Sequence, residues 1–207
     1  STVLAVPTAS GKSLVAYLGI LKKVLEGKKA LYIVPLRALA TEKYQELKEF
    51  ENLGIKVGKT VGDFDAPEPE LKKLDIIVAT SERADSLLRH RSDWMYEIEV
   101  VVADEIHLIN DSTRGPTMEV TIVKLKELNP NMQFIALSAT IRNSIELADW
   151  LEAKHVKSDW RPVALKEGIF FKDSIEFSDG TEKSVVPVGE ELASMVLDTV
   201  NDGRQII

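Results

Sequence analysis

The chain has 207 residues, enough for one large domain or for one domain and a piece of the next. Its 44% hydrophobic residues can build a core, its 29% charged residues suit a soluble surface, and its net charge of −7 excludes a generally basic nucleic-acid coat but not a local basic strip. The absence of cysteine rules out disulfides, thiolate metal sites and thiol nucleophiles, and with no uncharged run near the ~20 residues of a membrane span and no basic secretory start, a cytoplasmic protein without a membrane partner is expected.

In chain order, short apolar runs alternate with amphipathic stretches. Thr2 to Val6 is the first run, and a helical pattern follows from Gly11, carrying Leu14, Val15, Leu18, Leu21, Val24 and Leu25 up to a stop at Gly27. Ala30 to Val34, Asp75 to Ala79, Val100 to Ala103 and Phe134 to Leu137 are the later runs. Most are rich in Val and Ile and do not alternate, as strands buried on both faces of a parallel sheet do. Helical patterns span about Arg37 to Phe50, Glu82 to His90, Pro116 to Leu128 and Ser144 to Glu152. The alternation predicts a doubly wound α/β layer with right-handed crossovers. The acidic, Pro-rich string Asp65-Ala66-Pro67-Glu68-Pro69-Glu70 reads as an exposed loop.

After about residue 155 the pattern changes. Val163 to Phe171 and Ser174 to Val186 look like antiparallel strands, with Asp179-Gly180 at the centre of a turn. A helix is expected over about Gly189 to Asn201, and Arg204-Gln205-Ile206-Ile207 resembles a strand cut short. Three segments are expected: residues 1–160, a nucleotide-binding lobe; 161–202, a β-hairpin and connecting helix; and 203–207, the start of a further lobe.

Two strings carry the chemistry. In Pro7-Thr8-Ala9-Ser10-Gly11-Lys12-Ser13 a strand ends, a loop turns and a helix starts, so loop amides and the helix N-terminus converge on one spot suited to phosphate oxygens. Lys12 would reach the β- and γ-phosphates of ATP and the Ser13 hydroxyl would bind Mg2+. The full phosphate-loop pattern has Gly where this chain has Val6, and an ordinary helix-capping loop is the plainer alternative. In Asp104-Glu105-Ile106-His107 a strand ends in two adjacent carboxylates. Asp104 is assigned to the metal and Glu105 to the base that orients the attacking water; one hydroxyl and one carboxylate suffice, because magnesium keeps several waters. Surface acids at a strand end are the alternative.

Weaker signals sit at other strand ends. Ser138, Ala139 and Thr140 follow one run, where hydroxyls usually cap turns, and His107 could equally be structural. Pro35, Leu36 and Arg37 follow another, and Thr80, Ser81 and Arg83 a third. An open α/β sheet presents ligand sites at such places. Arg37 and Arg83 could bind backbone phosphates with help from helix N-terminal amides, or could simply be solvated. His90, His155 and the tryptophans read as structural, with Trp94, Trp150 and Trp160 as alternative packing sites for other parts of the protein.

On these residues the chain resembles the first RecA-like lobe of a superfamily 2 helicase, an α/β P-loop NTPase fold. Pro7 to Ser13 resembles motif I, Pro35 to Ala40 motif Ia, Thr80 to Arg83 motif Ib, Asp104 to His107 motif II and Ser138 to Thr140 motif III. The phosphate loop without its leading Gly is similar to the Ski-like branch. Finer matches to archaeal DNA helicases of the 308 class are Thr80 to His90, Arg114-Gly115-Pro116-Thr117-Met118-Glu119-Val120, and Ser158-Asp159-Trp160-Arg161-Pro162. The resemblance implies ATP-dependent 3′ to 5′ translocation on single-stranded DNA and unwinding of forked duplexes, in replication or repair. It also implies a strand grip by the motif Ia and Ib residues, coupling of ATP state to that grip through Ser138, Ala139 and Thr140, and contact of His107 with motif III or the γ-phosphate side.

The implied partners are DNA, a second RecA-like lobe and further domains of the same chain; a monomer is expected. An adenine-reading glutamine upstream and the arginine fingers of a second lobe are absent from the sequence, so the chain is expected to bind nucleotide and hardly turn it over. An RNA helicase of the same branch is the first alternative, since the motifs address backbone rather than base. A P-loop kinase or a switch GTPase would place a substrate pocket or a guanine-reading loop nearby, and no Asn-Lys-x-Asp string is present. A binding module that has lost its activity fits poorly with intact Lys12, Asp104 and Glu105.

Overall fold

The computed structural model describes residues 1–62, 68–90, 92–140 and 143–204. The elements in chain order are β1 (Thr2–Ala5), α1 (Lys12–Val24), β2 (Lys29–Val34), α2 (Arg37–Lys48), β3 (Val57–Thr60), α3 (Glu68–Leu71), β4 (Ile76–Thr80), α4 (Ser81–Arg89), β5 (Ile98–Ala103), α5 (Gly115–Leu128), β6 (Gln133–Ser138), α6 (Ser144–Trp150), β7 (Lys154–Lys157), β8 (Gly168–Phe171), β9 (Ser174–Phe177), β10 (Glu182–Ser184) and α7 (Glu191–Asn201). Single 3₁₀ turns fill Glu49–Leu53, Asp93–Glu97 and Ile106–Asn110. Of the expected acidic loop, Pro69 and Glu70 fall in the short α3, and residues 65–67 lie outside the described residues, as do residues 205–207 of the C-terminal apolar run.

The chain divides into two compact units, Ser1–Trp160 and Arg161–Ile207. The first is built on one seven-stranded sheet in the order β3-β4-β2-β5-β6-β1-β7. Every pairing in it is parallel, so all the strand C-termini share one rim. The central strands are apolar on both faces because helices cover both. Alternate residues divide the core accordingly. Leu31, Ile33, Val101, Ala103, Phe134 and Ala136 pack with Ala84 and Leu87 of α4, Met118, Ile122 and Leu125 of α5, and Leu147 of α6. Tyr32, Val34, Val100, Val102, Ile135 and Leu137 pack with Ala16, Ile20 and Val24 of α1 and with Ala40 and Leu47 of α2.

Helix α1 departs from its apolar pattern. Leu14, Leu18 and Leu25 are exposed, and the buried line is Ala16, Ile20 and Val24. The cause is close approach: a Cβ at Gly19 would stand 2.3 Å from Ile135 Cδ1, so only small residues fit against the sheet at that level. In the second unit β8, β9 and β10 form an antiparallel meander, which adds a third strand to the expected hairpin, followed by α7. Lys183 of β10 pairs with Asp198 of α7 and with Asp202 just past its end, and ties helix to sheet. Among the described residues no helix is long and apolar enough to cross a membrane.

Candidate functional site

The loop after β1 reaches α1 through two left-handed residues, Ala9 (φ 63°) and Gly11 (φ 88°). Gly11 is the helix N-cap and contributes no side chain, so the first amides of α1 keep no side-chain partner. Ser10 donates its hydroxyl to the Pro7 carbonyl and braces the loop. At the loop's base the Val6 N–H donates to the Ser138 carbonyl at 3.3 Å. Lys12 Nζ is buried and has no hydrogen-bond partner among the described residues; the nearest carboxylate oxygen is Glu105 Oε1, at 3.9 Å. A buried ammonium without a hydrogen-bond acceptor is one that an anion can satisfy.

Asp104 follows β5 in the same alternation as Val100 and Val102, so it is carried toward the α1 face of the sheet. It is 6% exposed. Its Oδ1 accepts the Glu105 N–H at 2.9 Å and its Oδ2 accepts the Tyr32 hydroxyl at 2.8 Å. Glu105 turns the chain through the left-handed region (φ 49°) and leaves its carboxylate half-exposed between Lys12 and His107, whose Nδ1 is 3.3 Å from Glu105 Oε2 without hydrogen-bond alignment.

Behind Ser13 lies a polar cluster that the sequence did not announce. Lys43 of α2, buried, donates to Ser13 Oγ at 3.4 Å, to Glu42 at 3.0 Å and to Glu46 at 3.1 Å. Tyr17 donates its hydroxyl to Glu46, and its ring lies 6.2 Å from that of Tyr32. Burial, and then the hydrogen bond to Glu46, push the Tyr17 phenol far above its usual range. Burial and the Asp104 charge do the same to Tyr32. Burial works to raise the Glu46 carboxyl and to lower the Lys43 ammonium. In both cases the hydrogen bonds win, so Glu46 titrates below its usual value and Lys43 above.

A second site lies further along the rim, beyond β2 and β4. Pro35, Leu36, Arg37, Thr80 and Arg83 line one pocket together with Arg114. Thr80 caps α4 by accepting the Arg83 N–H at 3.3 Å, and Arg83 Nε donates to Thr60 Oγ1 at 2.9 Å. Arg37 opens α2 and is exposed; Ser81 is buried at the first position of α4. Arg114 comes from the loop before α5. There Asp111 accepts the Thr113 hydroxyl and the Thr113 and Arg114 N–H groups, and these bonds, the hydroxyl's foremost, hold the carboxyl down at about 2. Arg114 was visible only within a longer string. Ser138 is buried and donates to its neighbour's carbonyl at 2.8 Å, Ala139 is half-buried, and Thr140 is exposed. His155 meets Ser144 Oγ at 3.1 Å, as a structural histidine does.

Among protein families, the model described as DEAD/DEAH box helicase matches residues 1–148. The chain belongs to this family. Its relatives within the DEAD/DEAH box helicases include the protein named ATP-dependent DNA helicase Hel308 of Methanocella arvoryzae, 50% identical over 209 residues, an alignment covering 98% of this chain and 28% of that one. The Pyrococcus horikoshii protein of the same name is 51% identical over 185 residues, 88% of this chain and 26% of its own. The chain therefore spans little more than a quarter of the length of these curated relatives. A solved structure titled DUF1998 helicase MrfA superposes with a TM-score of 0.66 at 30% identity, covering 75% of this chain and 27% of that one. The same helicase bound to DNA gives 0.65 at 29% identity, covering 75% and 24%.

Proposed function

We propose that this chain is the ATP-binding motor lobe of an ATP-dependent DNA helicase that moves 3′ to 5′ on single-stranded DNA and opens forks. The observation that carries the reading is the buried Lys12 ammonium, without a hydrogen-bond partner among the described residues and 3.9 Å from the Glu105 carboxylate, at the end of the phosphate loop. Lys12 and the first amides of α1 bind the triphosphate, with Pro7, Thr8, Ala9, Ser10 and Gly11 shaping the loop. Glu105 orients the attacking water and accepts its proton, with His107 beside it.

The donor set fits magnesium. No group of three or more carboxylates or histidines forms a closed cage among the described residues, while the Ser13 hydroxyl and the Asp104 carboxylate offer the sparse protein shell that this ion takes alongside phosphate oxygens and water. Ser13 and Asp104 would hold it, and when bound it would neutralise charge on the phosphates.

Arg37, Arg83 and Arg114 converge on one pocket and grip the strand backbone, and Ser138, Ala139 and Thr140, at and just beyond the end of β6, link that grip to the nucleotide. DNA is favoured over RNA because the relatives are named DNA helicases and the similar solved structure was captured on DNA. The second RecA-like lobe and further domains, in a polypeptide of the relatives' length, complete the machine. The test is ATP turnover by a chain of that length with single-stranded DNA or matched RNA. Stimulation by DNA is expected; equal stimulation by RNA would move the protein to RNA processing, and stimulation by neither would overturn the motor reading.

A further inference from the structure

Tyr32 is fully buried in β2, on the sheet face it shares with Val34, Val100 and Val102. A phenol there must bury a hydroxyl, and an unsatisfied one is expensive. Asp104 Oδ2, at 2.8 Å, is its hydrogen-bond partner. The hydroxyl is the donor in this bond and the carboxylate oxygen the acceptor. With Oδ1 taking the Glu105 N–H at 2.9 Å, both oxygens of Asp104 are held, and each retains a free lone pair. The carboxylate plane is thereby set by two strands: β5 carries the group and β2, paired with it at Tyr32↔Val102, carries the clamp.

We propose that Tyr32 is a positioning residue for the metal-holding carboxylate: its hydroxyl sets the orientation in which Asp104 meets Mg2+ and its waters. The inference rests on the reading of Asp104 as the metal-holding residue. The Tyr17 ring flanks that of Tyr32 at 6.2 Å between ring centres. Without the hydroxyl, Oδ2 loses the hydrogen bond that fixes the carboxylate plane, and of the two bonds only that from the Glu105 N–H to Oδ1 still holds it.

The experiment titrates a fluorescent ATP analogue into the chain, in EDTA and then with increasing Mg2+, for the wild type, Tyr32→Phe, Asp104→Asn and the double variant. Loss of a group that orients a metal ligand weakens the metal by roughly 10–100-fold, so Tyr32→Phe is expected to raise the Mg2+ needed for half-maximal tightening by that factor while the affinity in EDTA stays within about twofold. Asp104→Asn should abolish the Mg2+-dependent tightening, and Tyr32→Phe should add nothing to it in the double variant. A parallel weakening with and without Mg2+ would show a merely structural phenol and overturn the proposal. So would an unchanged Mg2+ midpoint in Tyr32→Phe beside a lost one in Asp104→Asn, which would leave the metal site standing. Intact Mg2+ dependence in Asp104→Asn would overturn the site reading itself.

A second measurement does not depend on the folding of the Tyr32 variant. In protein carrying 3-fluorotyrosine, the fluorine resonance of residue 32, assigned through Tyr17→Phe, Tyr44→Phe and Tyr96→Phe, should shift when Mg2+ joins the nucleotide and should not shift in Asp104→Asn. A resonance blind to Mg2+ in the wild type would equally overturn the proposal.

Discussion

Gly115→Ala should destabilise the first unit, against the ordinary rule for helices. Alanine is the better helix former by about 1 kcal/mol, and at an exposed helical position the change would stabilise. Here a Cβ would stand 2.0 Å from the Ile109 carbonyl oxygen and 2.7 Å from its carbonyl carbon. Both atoms are backbone, so no side-chain rotation relieves the contact. Either α5 moves away from the turn Ile106–Asn110 or that turn shifts, and the turn carries His107 and begins directly after Glu105.

Overpacking of this kind costs about 1–3 kcal/mol. At about 2–4 °C per kcal/mol for a protein of this size, the melting midpoint should fall by about 2–12 °C. Thermal unfolding followed by the fluorescence of Trp94, which is 2% exposed in the first unit's core, reads this directly. Gly27→Ala is the control. Its φ of 81° makes alanine strained, but nothing lies within 4 Å of the added carbon, so it should lose stability without disturbing nucleotide affinity. A Gly115→Ala protein that melts at or above the wild-type temperature would refute the steric reasoning.

Glu105→Gln should leave ATP binding intact and reduce turnover of a relative-length enzyme by about 10²–10⁴, as loss of a general base does; unchanged turnover would remove Glu105 from that role. Arg114→Ala should weaken single-stranded DNA binding and lower the salt slope by about 0.7, one phosphate contact's worth; an unaltered slope would take Arg114 out of the strand grip. Thr113→Ala should raise the Asp111 carboxyl from about 2 toward its ordinary value, read by carbon NMR titration. The native pKa lies below the unfolded one, so the contribution of Asp111 to stability is complete above the ordinary carboxylate value and is lost as pH falls toward 2; an unmoved titration would show that the hydroxyl is not the main cause.

The central strands were legible because burial on both faces leaves uninterrupted Val and Ile runs, as in Val100-Val101-Val102. The edge strands were not. Val57-Gly58-Lys59-Thr60 and Lys154-His155-Val156-Lys157 have one neighbour each, so water reaches them and polar residues intrude. The phosphate loop and the paired carboxylates were legible because their chemistry lies within a few consecutive residues. The links of Lys43 to Ser13 and of Tyr32 to Asp104 were not, because they join residues 30 and 72 positions apart. A tyrosine inside an apolar run reads as core until its hydroxyl is seen to have a destination. Likewise the apolar residues of α1 do not say which of them meets the sheet; Gly19 decides that by letting the helix close in.

The left-handed backbone at Glu105 has a consequence for anyone improving this protein. A side chain in that conformation costs roughly 1–2 kcal/mol relative to glycine, so a library selected only for survival at high temperature should enrich glycine or asparagine at position 105. On the role proposed for Glu105 those winners would be sturdier and would lose the base, so directed evolution of the relative-length enzyme should score turnover and heat resistance together.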